Sequence, residues 1–382
     1  MTTAMLIFTG ALILAIGGTP LARRIAPRLG LVDQPNARKI HQRPMPRMGG
    51  AAIVLASIAT LFFFQDRFEF QQLIGIVFGG AFVSLLGTWD DRWGMPPPIK
   101  LLGQFFAAGI LILTGVTVQL LPIPWLNLVL TALWVVGITN AFNLLDNMDG
   151  LSSGVGLISA AFFTLLAALS RQSYVSALAA AVLGASLGFL IYNFNPASIF
   201  MGDSGSLFLG FVLAAIGIKL RFPDNVTFVT WMAPVLVLGM PLFDTALVVV
   251  SRLRRGLNPL TTPGKDHTSH RLVAAGFTAR EAVMIHYLAA GAFGVLAIFV
   301  TQASVLEGYV VGIAAALISL FALIRLEIRF KKTGLAPSPA HLPPSGGLPM
   351  TESPSSEERI VRLRSHPASP RAANREDAVG EQ

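Results

Sequence analysis

Five aspartates stand beside long apolar runs of the sequence, where carboxylates are least expected. They fall in three segments interrupted by glycine or proline, and they are Asp90, Asp91, Asp146, Asp149 and Asp203. A charged side chain in the middle of a lipid-exposed helix costs ~3 kcal/mol or more, so such residues are candidates for function. Clustered carboxylates are also the ligands that Mg²⁺ prefers. If the three segments meet, they predict a site for a hard divalent cation.

The first segment, GTWDDRWGMPPPIK, ends an apolar run with Asp90 and Asp91. Its prolines stop one helix and prepare the start of the next, near Lys100. Adjacent carboxylates repel each other, so both ionise readily only beside a cation. The simpler alternative is an acidic pair that faces water at a helix end. The functional interpretation makes one carboxylate a metal ligand, the other a general base, and Lys100 a phosphate contact.

The second segment, NLLDNMDGLSSG, places Asn143, Asp146 and Asp149 on one face of a helix. Gly150 and the serines after it indicate a turn whose exposed amides suit phosphate. A solvated loop is the alternative, and it fits poorly with the apolar flanks on both sides.

The third segment, NFNPASIFMGDSGS, contains Asn193, Phe200 and Asp203. Gly202 and Gly205 allow another backbone to approach closely. Asp203 opens the next apolar run, where an acidic residue could act only as a helix cap. Beside the other carboxylates, however, Asp203 is a candidate metal ligand.

A long basic loop between two later apolar runs holds a pair of histidines. Lys265, His267, His270 and Arg271 together suit a polyanionic substrate such as a diphosphate. Charge that only marks the cytoplasmic side is the alternative, but it does not explain the histidines. Zinc is not expected, because no further His or Cys ligand accompanies the pair. Asp244, inside the preceding apolar run, is expected to pair with an arginine or to line the site, without a catalytic role.

The apolar runs that position these segments predict an all-α, polytopic membrane protein. Hydrophobic residues form 53% of the 382-residue chain and charged residues 13%, whereas soluble domains carry about 25% charge. There is no cysteine, so disulfides and thiolate metal sites are excluded. The predicted spans are residues 4–20, 49–65, 71–88, 99–116, 121–140, 152–170, 174–193, 204–220, 227–250, 281–301 and 306–328.

The basic residues predict how these eleven spans are oriented. Of the 28 lysines and arginines, only four fall in the loops of one side: Arg67, Arg171, Lys219 and Arg221. The positive-inside rule therefore puts the C-terminus in the cytoplasm and the N-terminus outside. This arrangement brings all five aspartates to cytoplasmic ends of spans. It also accounts for the net charge of +8, so no nucleic-acid partner is expected.

Composition divides the chain into two parts. Residues 1–330 form the predicted transmembrane domain, and residues 331–382, rich in Pro, Ser and charge, a predicted disordered cytoplasmic tail. Within the first part, the basic and proline-rich loop 30–50 could wall the same pocket as the aspartates.

The ordered motifs resemble those of the polyprenyl-phosphate N-acetylhexosamine-1-phosphate transferases. They are DQPNARKIHQRPMPR, WDDRWGMPPPIKLLGQ, NAFNLLDNMDGLSSG, NFNPASIFMGDSGSLFLG and GKDHTSHRL. The resemblance covers about residues 5–330 and is strongest to the bacterial enzymes that use undecaprenyl phosphate and GlcNAc-1-phosphate. It implies transfer of a sugar-1-phosphate from a UDP-N-acetylhexosamine to undecaprenyl phosphate at the cytoplasmic face of the inner membrane. UMP would leave, and the lipid product would start a cell-envelope polysaccharide such as lipopolysaccharide or teichoic acid. The family also allows a homodimer.

The resemblance further implies roles for the residues above. Asp203 and Asp91 would hold Mg²⁺, for which Mn²⁺ could substitute. Asp90 would deprotonate or position the lipid phosphate that Lys100 holds. Nucleotide-side and metal-side contacts are implied for Asn143, Asp146, Asp149, Asn193 and Phe200. The diphosphate or the sugar would contact His267, His270 and Arg271.

One position departs from the family pattern. The family's last loop often reads His-x-His-His-Arg, whereas this chain has Ser269 as the middle residue of the three. The serine removes any role of a histidine there and argues against the branch that uses the MurNAc-pentapeptide.

Two other classes of protein compete with the transferase. A transporter also has acidic residues in broken helices, but its site lies near the midplane between inverted repeats. No internal repeat is evident, and the aspartates gather at one face. A non-catalytic scaffold would not need five aspartates beside glycine loops.

Overall fold

A computed structural model describes residues 2–34, 44–62, 70–259, 261–262 and 264–332. The described chain is a bundle of α-helices, which confirms the predicted fold class. Apart from the end of the last helix, the predicted tail 331–382 lies outside the described residues.

The regular structure of the described residues consists of fourteen α-helices, one 3₁₀ helix at Ala26–Leu29 and one two-stranded antiparallel sheet. The helices are α1 Thr2–Ile25, α2 Gly49–Leu61, α3 Phe70–Trp93, α4 Pro97–Leu113, α5 Pro124–Leu145, α6 Leu151–Leu169, α7 Ser173–Asn193, α8 Gly202–Lys219, α9 Thr227–Thr230, α10 Met232–Val237, α11 Gly239–Arg254, α12 Thr268–Ala274, α13 Ala279–Gln302 and α14 Val305–Lys332. The strands are β1 Val32–Asp33 and β2 Met45–Pro46.

Every predicted apolar run coincides with a helix or with a broken helix. Eight helices within the described residues are long and apolar enough to cross a membrane: α1, α3, α5, α6, α7, α8, α13 and α14. Two shorter apolar helices, α2 and α4, match the second and fourth predicted runs. The chain is therefore a multi-pass membrane protein, while the count of eleven spans and their orientation stay predictions.

The predicted span 227–250 is broken rather than continuous. Its first part, through α10, and its second part, α11, meet at an angle of 73°. Pro241 explains the break, because its ring nitrogen cannot donate to the carbonyl of Val237 and its ring clashes with the preceding turn. The freed Val237 carbonyl accepts a hydrogen bond from Ser159 Oγ at 3.2 Å instead.

Helix α8 is the central element of the bundle. It has 89% of its residues buried, whereas the apolar stretch of α14 has 6%. Its first turn begins at Gly202 and carries Asp203. Two glycines bring neighbouring backbones against this turn: Gly50 of α2 meets Gly205, and Gly87 of α3 meets the Asp203–Ser204 peptide. Close backbone contact therefore fixes the helix end on which the third motif stands.

We expect Gly87→Ala to destabilise the protein. A Cβ at this position would overlap the backbone of Asp203 and Ser204, so α3 must shift. Overpacking of this kind costs about 1–3 kcal/mol. The matched control is Gly17→Ala in α1, where an added Cβ meets nothing within 4 Å. Thermal unfolding in detergent should show a lower melting temperature for Gly87→Ala only. Equal melting temperatures would contradict the close contact between α3 and α8.

Candidate active site

Three helix ends bring the acidic motifs together, as the sequence predicts. The last turn of α3 carries Asp90 and Asp91, and the first turn of α8 carries Asp203. Asp146 directly follows the end of α5. Since each aspartate lies at an end of its helix, the polar side chains share one end of the bundle. The transporter alternative expected them in the middle of the spans.

Lys100 of α4 is the centre of the polar cluster. Its Nζ lies 2.8 Å from Asp90 Oδ2 and 2.5 Å from Asp203 Oδ2, and it donates to Asn143 Oδ1 at 3.1 Å. Asn143 in turn donates from Nδ2 to Asp203 Oδ1 at 3.1 Å and to Ser206 Oγ at 3.0 Å. The ammonium thus forms ion pairs with two carboxylates at once, and one of them, Asp90, belongs to the predicted acidic pair.

Asp91 holds the start of α8. Its Oδ1 accepts from the Asp203 amide at 3.1 Å, and its Oδ2 lies 3.3 Å from the Ser204 amide. Arg47 adds an ion pair at 3.3 Å, and the Asp91 side chain is 1% exposed. A carboxylate at a helix N-terminus satisfies amides that have no partner within the helix. In the described structure Asp91 therefore anchors the helix that presents Asp203, and its role as a metal ligand stays a prediction.

Arg47 is a site residue that motif reasoning did not single out. Its guanidinium reaches Asp91 at 3.3 Å, Asp203 at 4.0 Å and Asp33 at 3.5 Å. It directly follows β2, and its backbone bridges to Phe200, the aromatic residue of the third motif. Its signals in the sequence were its place in a basic, proline-rich loop that could wall the pocket and at the end of the first family motif.

Of the aspartates in this cluster, Asp146 has the fewest hydrogen-bond partners within the described part of the chain. Among the described residues, none donates a hydrogen bond to its carboxylate. Burial, with repulsion from Asp203 next in size, raises the pKa of Asp146 to about 8. A nearby divalent cation would remove this repulsion and favour the charged form.

The carboxylates present fit Mg²⁺ better than a metal bound by protein alone. Within the described residues, no group of three or more His, Asp or Glu side chains could hold a metal ion. Mg²⁺ commonly uses one or two carboxylates and completes its shell with water and substrate phosphates. Asp203 and Asp146 provide such a pair, and the unsatisfied Asp146 is the observation that favours it.

A cavity of about 530 Å³ opens beside the cluster. The predicted site residues that line it are Asp146, Asp149, Asn193, Phe200 and His270. Arg47 and Lys265 add two cationic side chains to the wall. This is the size and the mixed polarity expected of a pocket for a small ligand.

Two of these residues also join the loops that form the wall. Asp149 accepts from Asn195 Nδ2 at 3.2 Å and from the Ala197 amide at 3.0 Å. Asn193 Oδ1 accepts from the Gly150 amide, and its Nδ2 donates to the Ile199 carbonyl. Both side chains therefore hold the second and third motifs together.

Of the three residues predicted to bind diphosphate or sugar in the basic loop, only His270 lines the cavity. Burial lowers the pKa of His270 to about 4, so the ring is neutral near pH 7. Arg271 instead donates from Nη1 to Glu327 of α14 at 2.7 Å and from Nε to the Asp266 carbonyl at 2.8 Å. Substrate binding by Arg271 would require this arrangement to open, so the structure does not bring it to the site.

Two further arginines, Arg252 and Arg255, form ion pairs within this region. Arg252 Nε and Arg255 Nη2 lie 3.0 and 2.5 Å from Asp266 Oδ2. Ser269, which replaces the family's histidine, is buried and donates to Asn147 Oδ1 at 2.5 Å. Its small side chain thus links α12 to the loop of the second motif.

The sequence comparisons agree with this arrangement of motifs. Residues 73–221, which span α3 to α8, match the sequence profile of glycosyl transferase family 4. A relative from Bacillus subtilis, the probable undecaprenyl-phosphate N-acetylglucosaminyl 1-phosphate transferase, is 36% identical over 75% of this chain and 82% of its own length. The chain belongs to glycosyl transferase family 4.

Other members of the family show similar coverage. The decaprenyl-phosphate N-acetylglucosaminephosphotransferase of Mycobacterium tuberculosis is 34% identical over 76% of this chain and 81% of its own length. The undecaprenyl-phosphate alpha-N-acetylglucosaminyl 1-phosphate transferase of Escherichia coli is 29% identical over 72% of this chain and 79% of its own length. These matches confirm the resemblance inferred from the motifs and make this chain a transferase.

Proposed function

We propose that this family 4 transferase moves N-acetylglucosamine-1-phosphate from UDP-GlcNAc to undecaprenyl phosphate. The acceptor and the sugar are those named for the relatives from Bacillus subtilis and Escherichia coli. The proposed place is the cytoplasmic face of the inner membrane, where the basic loops lie by the positive-inside rule. The product, a polyprenyl-diphosphate sugar, would start a cell-envelope polysaccharide.

The observation that carries the proposal is the position of Lys100 beside the cavity. Its ammonium forms ion pairs with the Asp90 and Asp203 carboxylates at the helix ends. Arg47 and Asp146, which belong to the same cluster, line the cavity. Phosphoryl transfer depends mainly on positioning and on neutralising the charge of the transferred group. Cations and carboxylates that could hold a metal therefore stand where an acceptor phosphate and a donor diphosphate would meet.

The proposed reaction is a displacement at the β-phosphorus of the donor. An oxygen of the acceptor phosphate forms a bond to this phosphorus, and the bond to the oxygen bridging to the α-phosphate breaks. UMP leaves with the electron pair of that bond. Because the acceptor phosphate is already ionised near pH 7, we assign Asp90 to orientation more than to proton removal. Lys100 neutralises the acceptor, and Asp90 fixes the ammonium.

The cavity would hold the donor. Phe200 offers an aromatic face for the uracil, and Arg47 and Lys265 offer cations for the diphosphate. Asp203 and Asp146 would hold Mg²⁺. The bound ion would supply neutralisation of the phosphate oxygens.

The test of this proposal is release of UMP by the purified protein. We expect UMP when UDP-GlcNAc, undecaprenyl phosphate and Mg²⁺ are all present, and none when any of the three is left out. A chelator should stop release, and added Mg²⁺ should restore it, with Mn²⁺ as a partial substitute. No UMP release with any UDP-N-acetylhexosamine would overturn the proposal.

A further inference from the structure

A buried aspartate and a buried histidine meet behind the cavity. Asp244 of α11 is 1% exposed, and His267, which precedes α12, is 5% exposed. Asp244 Oδ2 lies 2.8 Å from His267 Nδ1, and Asp244 Oδ1 accepts from the Thr268 amide at 2.7 Å. Both oxygens of one carboxylate thus hold two adjacent residues of the basic loop. Neither Asp244 nor His267 lines the cavity.

The hydrogen bond to Asp244 sets the tautomer of His267. An ionised carboxylate only accepts hydrogen bonds, so His267 Nδ1 must carry a proton. The second oxygen serves a different need. The first amides of α12 have no partner within their helix, and His267 makes no side-chain cap. Asp244 supplies the missing acceptor from a neighbouring helix.

This pair fixes the residues that do reach the cavity. His270 lies three residues after His267, one turn further along α12, and lines the cavity. Ser269, between the two histidines, donates a hydrogen bond to Asn147, and Asn147 also lines the cavity. The loop before His267 is held by Asp266 and its two arginines. Asp244 therefore holds the start of α12 in place.

We infer that Asp244 is a positioning residue for the transfer reaction. It fixes the tautomer and the place of His267, and through them the presentation of the His270 ring to the diphosphate or the sugar of the donor. The inference rests on the proposed function. We expect Asp244 to affect binding of the UDP-sugar donor rather than of the lipid acceptor. The reason is that His270 lines the cavity proposed for the donor, whereas Lys100 and Asp90 do not.

Asp244→Asn is the sharpest test. The amide oxygen of Asn can still accept from the Thr268 amide, but its NH₂ group would face His267 Nδ1 and favour the opposite tautomer. Hydrogen-bonding partners that orient metal-ligating histidines are worth about 10–100-fold in activity, and Asp244 orients a histidine in the same way. We expect kcat/KM for UDP-GlcNAc to fall by about that factor, while the KM for undecaprenyl phosphate stays unchanged. The matched control is Asp224→Asn, beyond the other end of α8.

Two further variants separate positioning from stability. His267→Asn keeps a side-chain NH donor for Asp244 and should retain most donor kcat/KM, whereas His267→Ala should lose it. The double variant Asp244→Asn with His267→Ala should be no worse than His267→Ala alone, because both changes break one interaction. Nitrogen chemical shifts of isotope-labelled histidine, assigned with His267→Asn, should show the Nδ1–H tautomer in the wild type and its loss in Asp244→Asn.

Several outcomes would overturn the inference. One is an Asp244→Asn variant with unchanged kcat/KM for UDP-GlcNAc, and another is an unchanged His267 tautomer in that variant. A third is an equal loss of kcat/KM for donor and acceptor together with a lowered melting temperature. Additive losses in the double variant would also overturn it. Failure of the proposed function gives a different pattern, in which the wild type releases no UMP from any nucleotide sugar. In that case the NMR measurement still decides whether Asp244 sets the tautomer.

Discussion

Asp203→Asn is expected to lose nearly all turnover while the protein still folds. The substitution removes a charge that pairs with Lys100 at 2.5 Å and that we assign to Mg²⁺. Removing one group that stabilises transition-state charge costs about 10²–10³ in kcat, and loss of a metal ligand adds to this. UMP release under saturating substrates should therefore fall by at least that factor. The Mg²⁺ concentration needed for half-maximal activity should rise in any residual activity.

The control for Asp203→Asn is again Asp224→Asn, which removes an aspartate charge outside the site. Both proteins should elute as single species and show cooperative thermal transitions. Full turnover by Asp203→Asn would remove Asp203 from the metal site and would leave Asp146 without its proposed partner.

Lys100→Met is expected to impair use of the acceptor most strongly. Methionine keeps an unbranched side chain but removes the charge that Asp90 and Asp203 share. We expect kcat/KM for undecaprenyl phosphate to fall by about 10²–10³, measured by UMP release over a range of acceptor concentrations. Because two carboxylates lose their cation, the melting temperature should also fall.

Lys219→Met is the matched control for Lys100→Met. Lys219 ends α8, ~24 Å along the helix from Asp203 at 1.5 Å per residue. This variant should keep wild-type acceptor kinetics. Equal acceptor kinetics in Lys100→Met and Lys219→Met would contradict a role for Lys100 in acceptor binding.

The positions of the acidic motifs were predictable because they stand at the ends of apolar runs. Helices that cross one bundle must bring their ends to one of two faces, and charge asymmetry predicted which ends share a face. Asp90, Asp91, Asp146 and Asp203 therefore meet as expected. Lys100 and Asn143, for which the family resemblance implied phosphate and nucleotide-side or metal-side contacts, lie in the same cluster.

The hydrogen-bond partners of each aspartate within the cluster were not predictable. Asp91 and Asp146 are the same residue type at similar helix ends, yet Asp91 receives the amides of α8, whereas Asp146 receives no hydrogen bond from the described residues. Such differences depend on distances of a few ångströms between helices. Sequence spacing does not contain them.

The basic loop shows the same limit. Arg271 was expected at the substrate, but it pairs with Glu327, 56 residues later in the chain. Arg47 was predicted only as part of a loop that could wall the pocket, but its position after β2 brings it to Asp91 and Asp203. Asp244 was expected to pair with an arginine or to line the site and instead holds His267. Long-range pairing decides each case, and a local pattern cannot identify the partner.

The most direct test of the central claim follows the β-phosphate of the donor. UDP-GlcNAc labelled with radioactive phosphorus in that phosphate is incubated with the protein, Mg²⁺ and undecaprenyl phosphate, and the lipid is extracted. If the protein transfers sugar-1-phosphate, the label enters the lipid in equal amount to the UMP released. Sugar in the lipid with the label left in UDP, or no label in the lipid at all, would contradict the proposed displacement at the β-phosphorus.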